Sequence, residues 1–76
     1  MGTKLHTGVL HKAFGERIID LRKKRDLSQE KLAELIGVDR SYMGFIERGE
    51  KNATLDKIGK LANSLEVSIS ELFKGI

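Results

Sequence analysis

The fold is decided by residues 27 to 49, which read LSQEKLAELIGVDRSYMGFIERG. Helical periodicity of apolar residues runs over residues 29 to 36 and again over residues 40 to 48. Gly37 between them can adopt the positive φ that ends a helix, and the small Ala33 side chain lets the second helix cross close to the first. A short helix, a tight turn and a second short helix form the layout of a helix-turn-helix unit.

Four helix starts share one signature, in which a capping residue follows one apolar residue and precedes another by four positions. The caps are Ser28, Asp39, Thr54 and Ser68, and Glu71 completes a capping box with the last of them. Together with a first helix over residues 10 to 25, they predict helices over residues 29–36, 40–48, 55–65 and 69–74. We therefore expect an all-α fold: a compact five-helix domain over residues 10–76, preceded by a flexible arm over residues 1–9.

The composition suits one small cytoplasmic domain. The 76 residues are 39% hydrophobic and 33% charged, with no cysteine and a formal net charge of +3. Disulfides and thiolate metal sites are thereby excluded, and no stretch approaches the ~20 apolar residues of a membrane span. The basic excess is compatible with nucleic acid but does not identify the partner by itself.

The second helix of the unit has an outer face of unusual chemistry. A rotation of about 100° per residue separates an inner side, with Met43 and Ile46, from an outer stripe. This stripe consists of Arg40, Ser41, Gly44, Phe45 and Arg48. It offers a guanidinium suited to guanine, a hydroxyl, a phenyl ring able to touch a thymine methyl group and a glycine that allows close approach in the major groove. Alternatively, Phe45 packs against a protein and Arg40 is a solvated charge.

Other polar residues are placed to contact DNA phosphates. Gln29 opens the first helix of the unit, where unpaired N–H groups and the helix dipole favour an anion. The candidates for contact with the phosphates of the other DNA strand lie at and after the end of the second helix: Arg48, Lys51 and Asn52. Tyr42 is expected to lie partly in the core and partly against a phosphate.

From Phe14 to Phe73 the sequence resembles the Xre and Cro-like helix-turn-helix family of phage repressors. The resemblance is carried by SQEKLA at 28–33, GV at 37–38, IERG at 46–49 and LEVS at 65–68. It implies a lambda-repressor-like fold in which Gln29 meets the DNA backbone. It also implies a structural ion pair between Arg22 and Glu47, and Glu47 independently lies at the inner edge of its helix, where an unpaired charge is costly.

Within that family, DRSY at 39–42, ERG at 47–49 and Asn52 are most similar to the controller proteins of bacterial restriction-modification systems. This resemblance implies that Arg40, Ser41, Tyr42 and Lys51 touch an operator. It further implies a dimer that regulates its own operon and the nuclease gene. Gly44 and Phe45 stand where more polar residues are expected, so the operator sequence does not carry over.

The C-terminal helix predicts a dimer interface. Apolar residues follow a helical spacing that leaves more apolar surface than one small domain needs. The interface candidates are Leu65, Ile69, Leu72, Phe73 and Ile76. The alternative is that the residues of the last helix cover their own core. A two-fold dimer would place two recognition helices roughly 34 Å apart and require a near-palindromic operator.

We therefore expect a transcriptional regulator, repressor or activator, that binds double-stranded DNA as a homodimer. The alternative is an antitoxin-like or other protein-interaction module of the same fold. An enzyme is not expected, because the hydroxyl groups at helix caps have no neighbouring histidine in the inferred fold, and His6 and His11 lie in or beside the arm. No cofactor, metal, membrane or small-molecule effector is expected, so protein concentration would be the signal.

Overall fold

Side-chain caps begin four of the five helices in the computed structural model, which describes residues 6 to 76. Each cap oxygen accepts a hydrogen bond from the backbone N–H three residues later. The capped helices are α2 (Gln29–Ile36), α3 (Arg40–Glu47), α4 (Leu55–Leu65) and α5 (Ile69–Leu72). The described residues form no strand, and the predicted all-α, five-helix fold is confirmed.

The first helix, α1 (Thr7–Lys24), begins earlier than the sequence predicts. His6 provides no side-chain cap, and its carbonyl accepts a hydrogen bond from the Leu10 N–H at 3.0 Å. Residues 7–9 thus form the first turn of α1, and their assignment to a flexible arm is wrong, because the start has no cap to mark it. Of the rest of the predicted arm, His6 directly precedes α1, and residues 1–5 lie outside the described residues.

Glycines fix the turn and the helix crossing that position α3. Gly37 ends α2 in the left-handed conformation, with φ of 76°, and α3 begins after two further residues. Gly15 lies where α1 crosses the end of α3, since an added Cβ would approach the Ile46 carbonyl oxygen to 2.5 Å. Gly49 has a φ of 74°, and a Cβ added there would lie 2.7 Å from the Lys12 α-carbon in α1. Backbone contact therefore holds the end of α3 against α1.

The core lies between the helices. At each of the four capped starts, the apolar residue before the cap and the one four positions after it either belong to the core or pack against it. Its fully buried large side chains are Ile18, Leu32, Ile36, Met43, Ile46, Leu61, Leu65 and Leu72. The helix-turn-helix unit therefore rests on a support formed by α1, α4 and α5.

The C-terminal end is attached to α1 by two contacts. The rings of Phe14 and Phe73 are stacked with centroids 5.1 Å apart. Arg17 donates through Nη2 to the carbonyl and carboxylate oxygens of Glu71, at 2.8 and 2.7 Å. The Glu71 carboxylate, predicted to complete a capping box with Ser68, thus accepts from Arg17, while the Glu71 N–H donates to the Ser68 hydroxyl at 3.0 Å.

The predicted dimer residues divide into buried and exposed side chains. Leu65 and Leu72 are wrong as interface residues, because they are 1% and 0% exposed inside the chain's own core. Phe73 is half-buried against Phe14, whereas Ile69 and Ile76 are exposed. No helix within residues 6–76 is long and apolar enough to cross a membrane.

Candidate DNA interface

The outer side of α3 and the start of α2 form one shallow depression of about 220 Å³. It is lined by Gln29, Arg40, Ser41, Gly44, Phe45 and Arg48. The structure therefore brings the whole predicted stripe together with Gln29. A helix with its side chains is about 10–12 Å across, close to the width of about 12 Å of the DNA major groove.

Gly44 forms the floor of this depression. It is buried, and the expectation that it is an exposed member of the stripe is wrong. The cause is the Arg48 side chain, which folds back over the bare α-carbon, so that an added Cβ would lie 3.0 Å from Arg48 Nη1. A glycine at position 44 therefore gives the Arg48 guanidinium its place on α3.

Phe45 contacts two cations. Its ring centroid lies 5.2 Å from Arg48 Cζ and 4.9 Å from Lys51 Nζ, within the range of cation–π attraction. Arg48 Nε also lies 3.2 Å from the Glu50 carboxylate. The helical spacing of residues 45 and 48 favours their contact. The contact with Lys51 depends on the turn at Gly49, and sequence reasoning missed it.

Tyr42 attaches the loop after α3 to the helix. Its hydroxyl donates to the Asn52 carbonyl oxygen at 3.1 Å, and Lys57 Nζ lies 5.8 Å from its ring centroid. Tyr42 is half-buried, whereas Lys51 and Asn52 are exposed. The bond keeps this loop, with its two predicted DNA-contacting residues, beside α3.

A single buried carboxylate joins α1, α2 and α3. Glu47, 4% exposed, accepts from Arg22 Nε at 2.7 Å and from Arg22 Nη2 at 3.1 Å. Gln29 Nε2 donates to the same carboxylate at 2.9 Å, and Arg22 Nη1 donates to the Leu27 carbonyl at 2.9 Å. Arg22 and Glu47 therefore form the pair expected from the sequence, and Gln29, which sequence reasoning did not include, is fixed by it.

The exposed face around α3 carries a positive charge. Within residues 6–76, no ion pair includes Arg40 or Lys51, and both side chains are exposed. The neighbouring carboxylates have other partners, since Asp39 accepts from the Tyr42 N–H at 2.8 Å and Glu50 pairs with Arg48. This arrangement suits a polyanion, with cations and hydrogen-bond donors on one exposed helix.

Comparisons with known proteins place the residues of the depression within a known domain. The model of the helix-turn-helix family HTH_3 matches residues 18–72. Control protein C.MunI of a Mycoplasma species is 44% identical over 64 residues, which cover 83% of this chain and 86% of that protein.

Two solved structures extend the comparison to the fold. The restriction-modification controller protein C.AhdI from Aeromonas hydrophila matches with a TM-score of 0.82 and 48% identity, over 86% of this chain and 98% of its own. The biofilm regulator SinR, in a structure with DNA, matches with a TM-score of 0.72 and 37% identity, over 78% of this chain and 95% of its own.

Proposed function

We propose, from the premise that this chain belongs to the helix-turn-helix family HTH_3 of transcriptional regulators, that it binds a near-palindromic operator as a homodimer. The observation that carries the proposal is the depression on α3. Its exposed cations and hydroxyl group adjoin Gln29 at the start of α2. The likeness to C.MunI and C.AhdI supports a role as a controller of restriction-modification genes.

Arg40 and Ser41 are the residues that read bases in this proposal. Both are exposed on the first turn of α3, the part of a recognition helix that contacts base edges. Arg40 is not held by an ion pair within residues 6–76, so its guanidinium is available to the O6 and N7 atoms of a guanine.

The surrounding residues contact the phosphates and set the position of α3. We assign this role to Gln29, Tyr42, Arg48, Lys51 and Asn52. Gln29 is oriented by Glu47 at the N-terminus of α2, where backbone N–H groups and the helix dipole favour an anion. Gly44 leaves room on α3 for the Arg48 guanidinium, one of these phosphate-contacting groups.

The homodimer rests on exposed apolar side chains at the C-terminal end. Ile69 and Ile76 are 50% and 42% exposed, and Phe73, which lies between them in the sequence, is half-buried. A two-fold dimer would set two copies of α3 about one turn of the duplex apart, roughly 34 Å, which accounts for a near-palindromic site.

Selection of bound fragments from random DNA tests the proposal most directly. We expect an enriched sequence with two inverted half-sites whose centres lie about one helical turn apart. Affinity for the selected duplex should fall steeply as salt rises, by about 0.9 in log–log slope for each phosphate contacted. Failure to enrich any sequence, together with salt-independent binding to a protein partner, would favour the protein-interaction module.

Replacement of Arg40 tests the reading face. Arg40→Ala should cost about 1–3 kcal/mol on the selected duplex and relax specificity at one base pair, because the guanidinium makes a base contact. Lys60→Ala, at an exposed lysine of α4, removes the same charge outside the depression and should change affinity by less than about twofold. Equal affinities of the Arg40 variant and the parent chain would remove Arg40 from the interface.

A further inference from the structure

Phe45 is the residue of the depression to which the proposed function assigns no contact with DNA. It is an aromatic side chain, half exposed, among polar and cationic neighbours on the outer side of α3. Phe45 neither belongs to the hydrophobic core nor packs against it, so burial in the core does not explain the residue. Its contacts with Arg48 and Lys51 therefore indicate what it does.

The ring holds two side chains that would otherwise have many conformations. The Arg48 guanidinium and the Lys51 ammonium lie 5.2 and 4.9 Å from its centroid. Long cationic side chains lose rotamer freedom when they bind, so side chains that are already held in place lose less. Lys51 lies beyond the end of α3, and its ammonium is nevertheless over the ring of Phe45 on that helix.

Gly44 completes the same arrangement. Arg48 Nη1 lies 3.0 Å from where a Cβ at position 44 would be, so a side chain there would make the guanidinium shift. The Glu50 carboxylate holds the Nε of the same guanidinium at 3.2 Å. Gly44 and Phe45 therefore both fix the position of Arg48. They are also the two residues that depart from the polar types expected on this face.

Building on the proposed function, we propose that Phe45 is a positioning residue: its ring holds Arg48 and Lys51 over the outer side of α3 for contact with the phosphates of duplex DNA. Phe45 then acts through these two cations and not through contact with a base. Its contribution is the same for any DNA sequence, whereas a contact with a thymine methyl group depends on the sequence.

Two variants separate the effect of the aromatic face from the effect of the apolar bulk. Phe45→Leu keeps an apolar side chain able to touch a methyl group and removes the π face. Phe45→Tyr keeps the face. We expect Phe45→Leu to weaken binding about five- to tenfold, both to the selected duplex and to a mixed-sequence duplex of equal length, because Arg48 and Lys51 would then lose more rotamer freedom on binding. Phe45→Tyr should bind both duplexes within about twofold of the parent chain.

The salt dependence and a double mutant show whether Phe45 acts through the cations. Phe45→Leu should leave the log–log salt slope unchanged, because both cations remain, whereas Lys51→Met should lower it by about 0.9. Phe45→Leu should cost less in the Lys51→Met background than in the parent chain, since one of its two partners is then absent.

A base contact would give the opposite pattern. Any weakening by Phe45→Leu would then be confined to the selected duplex. Uracil in place of thymine would weaken both the parent chain and the variant on that duplex, because the leucine can still touch the methyl group. Either that pattern or full affinity of Phe45→Leu on both duplexes overturns the inference. A parent chain without salt-dependent DNA binding overturns the proposed function instead. Thermal unfolding checks each fold, and Phe45→Met replaces Phe45→Leu if the latter unfolds.

Discussion

At the scale of single residues, Gly15 determines how closely α1 and α3 approach each other. An added Cβ would meet the backbone carbonyls of Ile46 and Glu47. The Ile46 carbonyl also accepts the Gly49 N–H at 3.1 Å, so it cannot move without disturbing the end of α3. Because Glu47 and Arg48 lie at this end, the crossing also affects the outer side of the helix.

Gly15→Ala should therefore destabilise the protein. We expect the free energy of unfolding to fall by about 1–3 kcal/mol, since the added methyl group meets backbone and not a flexible side chain. Gly59→Ala in α4 is the matched control, because nothing lies within 4 Å of its added Cβ. It should raise the free energy of unfolding by about 0.5–1 kcal/mol through helix propensity. Urea unfolding at one protein concentration compares them, and a stable Gly15→Ala chain would contradict the close crossing.

The residues that sequence reasoning missed share a physical reason. Gly15 has no local signal, since its role depends on which helix crosses α1 at that point. The contact of Lys51 with Phe45 likewise depends on the direction of the chain after Gly49. The pairing of Glu71 with Arg17 spans 54 positions. Each of these contacts joins segments whose relative placement follows from the whole fold and not from a local pattern.

At the scale of helices, local chemistry predicts starts well where a cap is present. The bounds of α2 and α4 match the prediction at both ends, and all four capped helices begin at the predicted residue. The start of α1 is missed by three residues because His6 makes no capping bond. The predicted ends of α3 and α5 extend one and two residues too far, because Arg48 and the residues after Leu72 form turns.

The Glu47 carboxylate is the polar contact on which three helices depend. Glu47→Ala would leave the Arg22 guanidinium, with a side chain 12% exposed, without its carboxylate, and Gln29 without its acceptor. We expect a loss of about 3–5 kcal/mol in the free energy of unfolding, because a largely buried charge would remain unpaired.

A second pair provides the control for this prediction. Glu16→Ala removes a carboxylate that lies 3.8 Å from Lys12, with both side chains about two-thirds exposed. Its effect should stay below about 1 kcal/mol, as for other surface pairs. Chemical denaturation measures both variants, and similar losses in the two would show that the Glu47 network does not join the helices energetically.

At the scale of the whole molecule, the exposed apolar side chains are the candidates for association with a second copy of the chain. The large exposed apolar residues are Val9, Leu35, Leu55, Ile69 and Ile76. Two of them belong to the C-terminal end, where the sequence predicts the dimer interface. The sequence could not separate these two from Leu65 and Leu72, because a helical stripe shows which residues share a side but not how much of that side the core covers.

Replacement of Ile69 tests whether the chain forms a homodimer and whether the interface lies at the C-terminal end. Ile69→Ser should raise the dimer dissociation constant at least about tenfold, because a two-fold interface uses the residue twice and each copy loses buried apolar area. Leu35→Ser is the matched control, since Leu35 on α2 is 47% exposed against 50% for Ile69. Sedimentation over a range of protein concentrations measures both. A parent chain that stays monomeric well above the concentrations at which it binds the operator would contradict the homodimer. Dissociation of the dimer by Leu35→Ser but not by Ile69→Ser would show that the two copies do not meet through the C-terminal surface, so this surface could not place them on the operator's two half-sites.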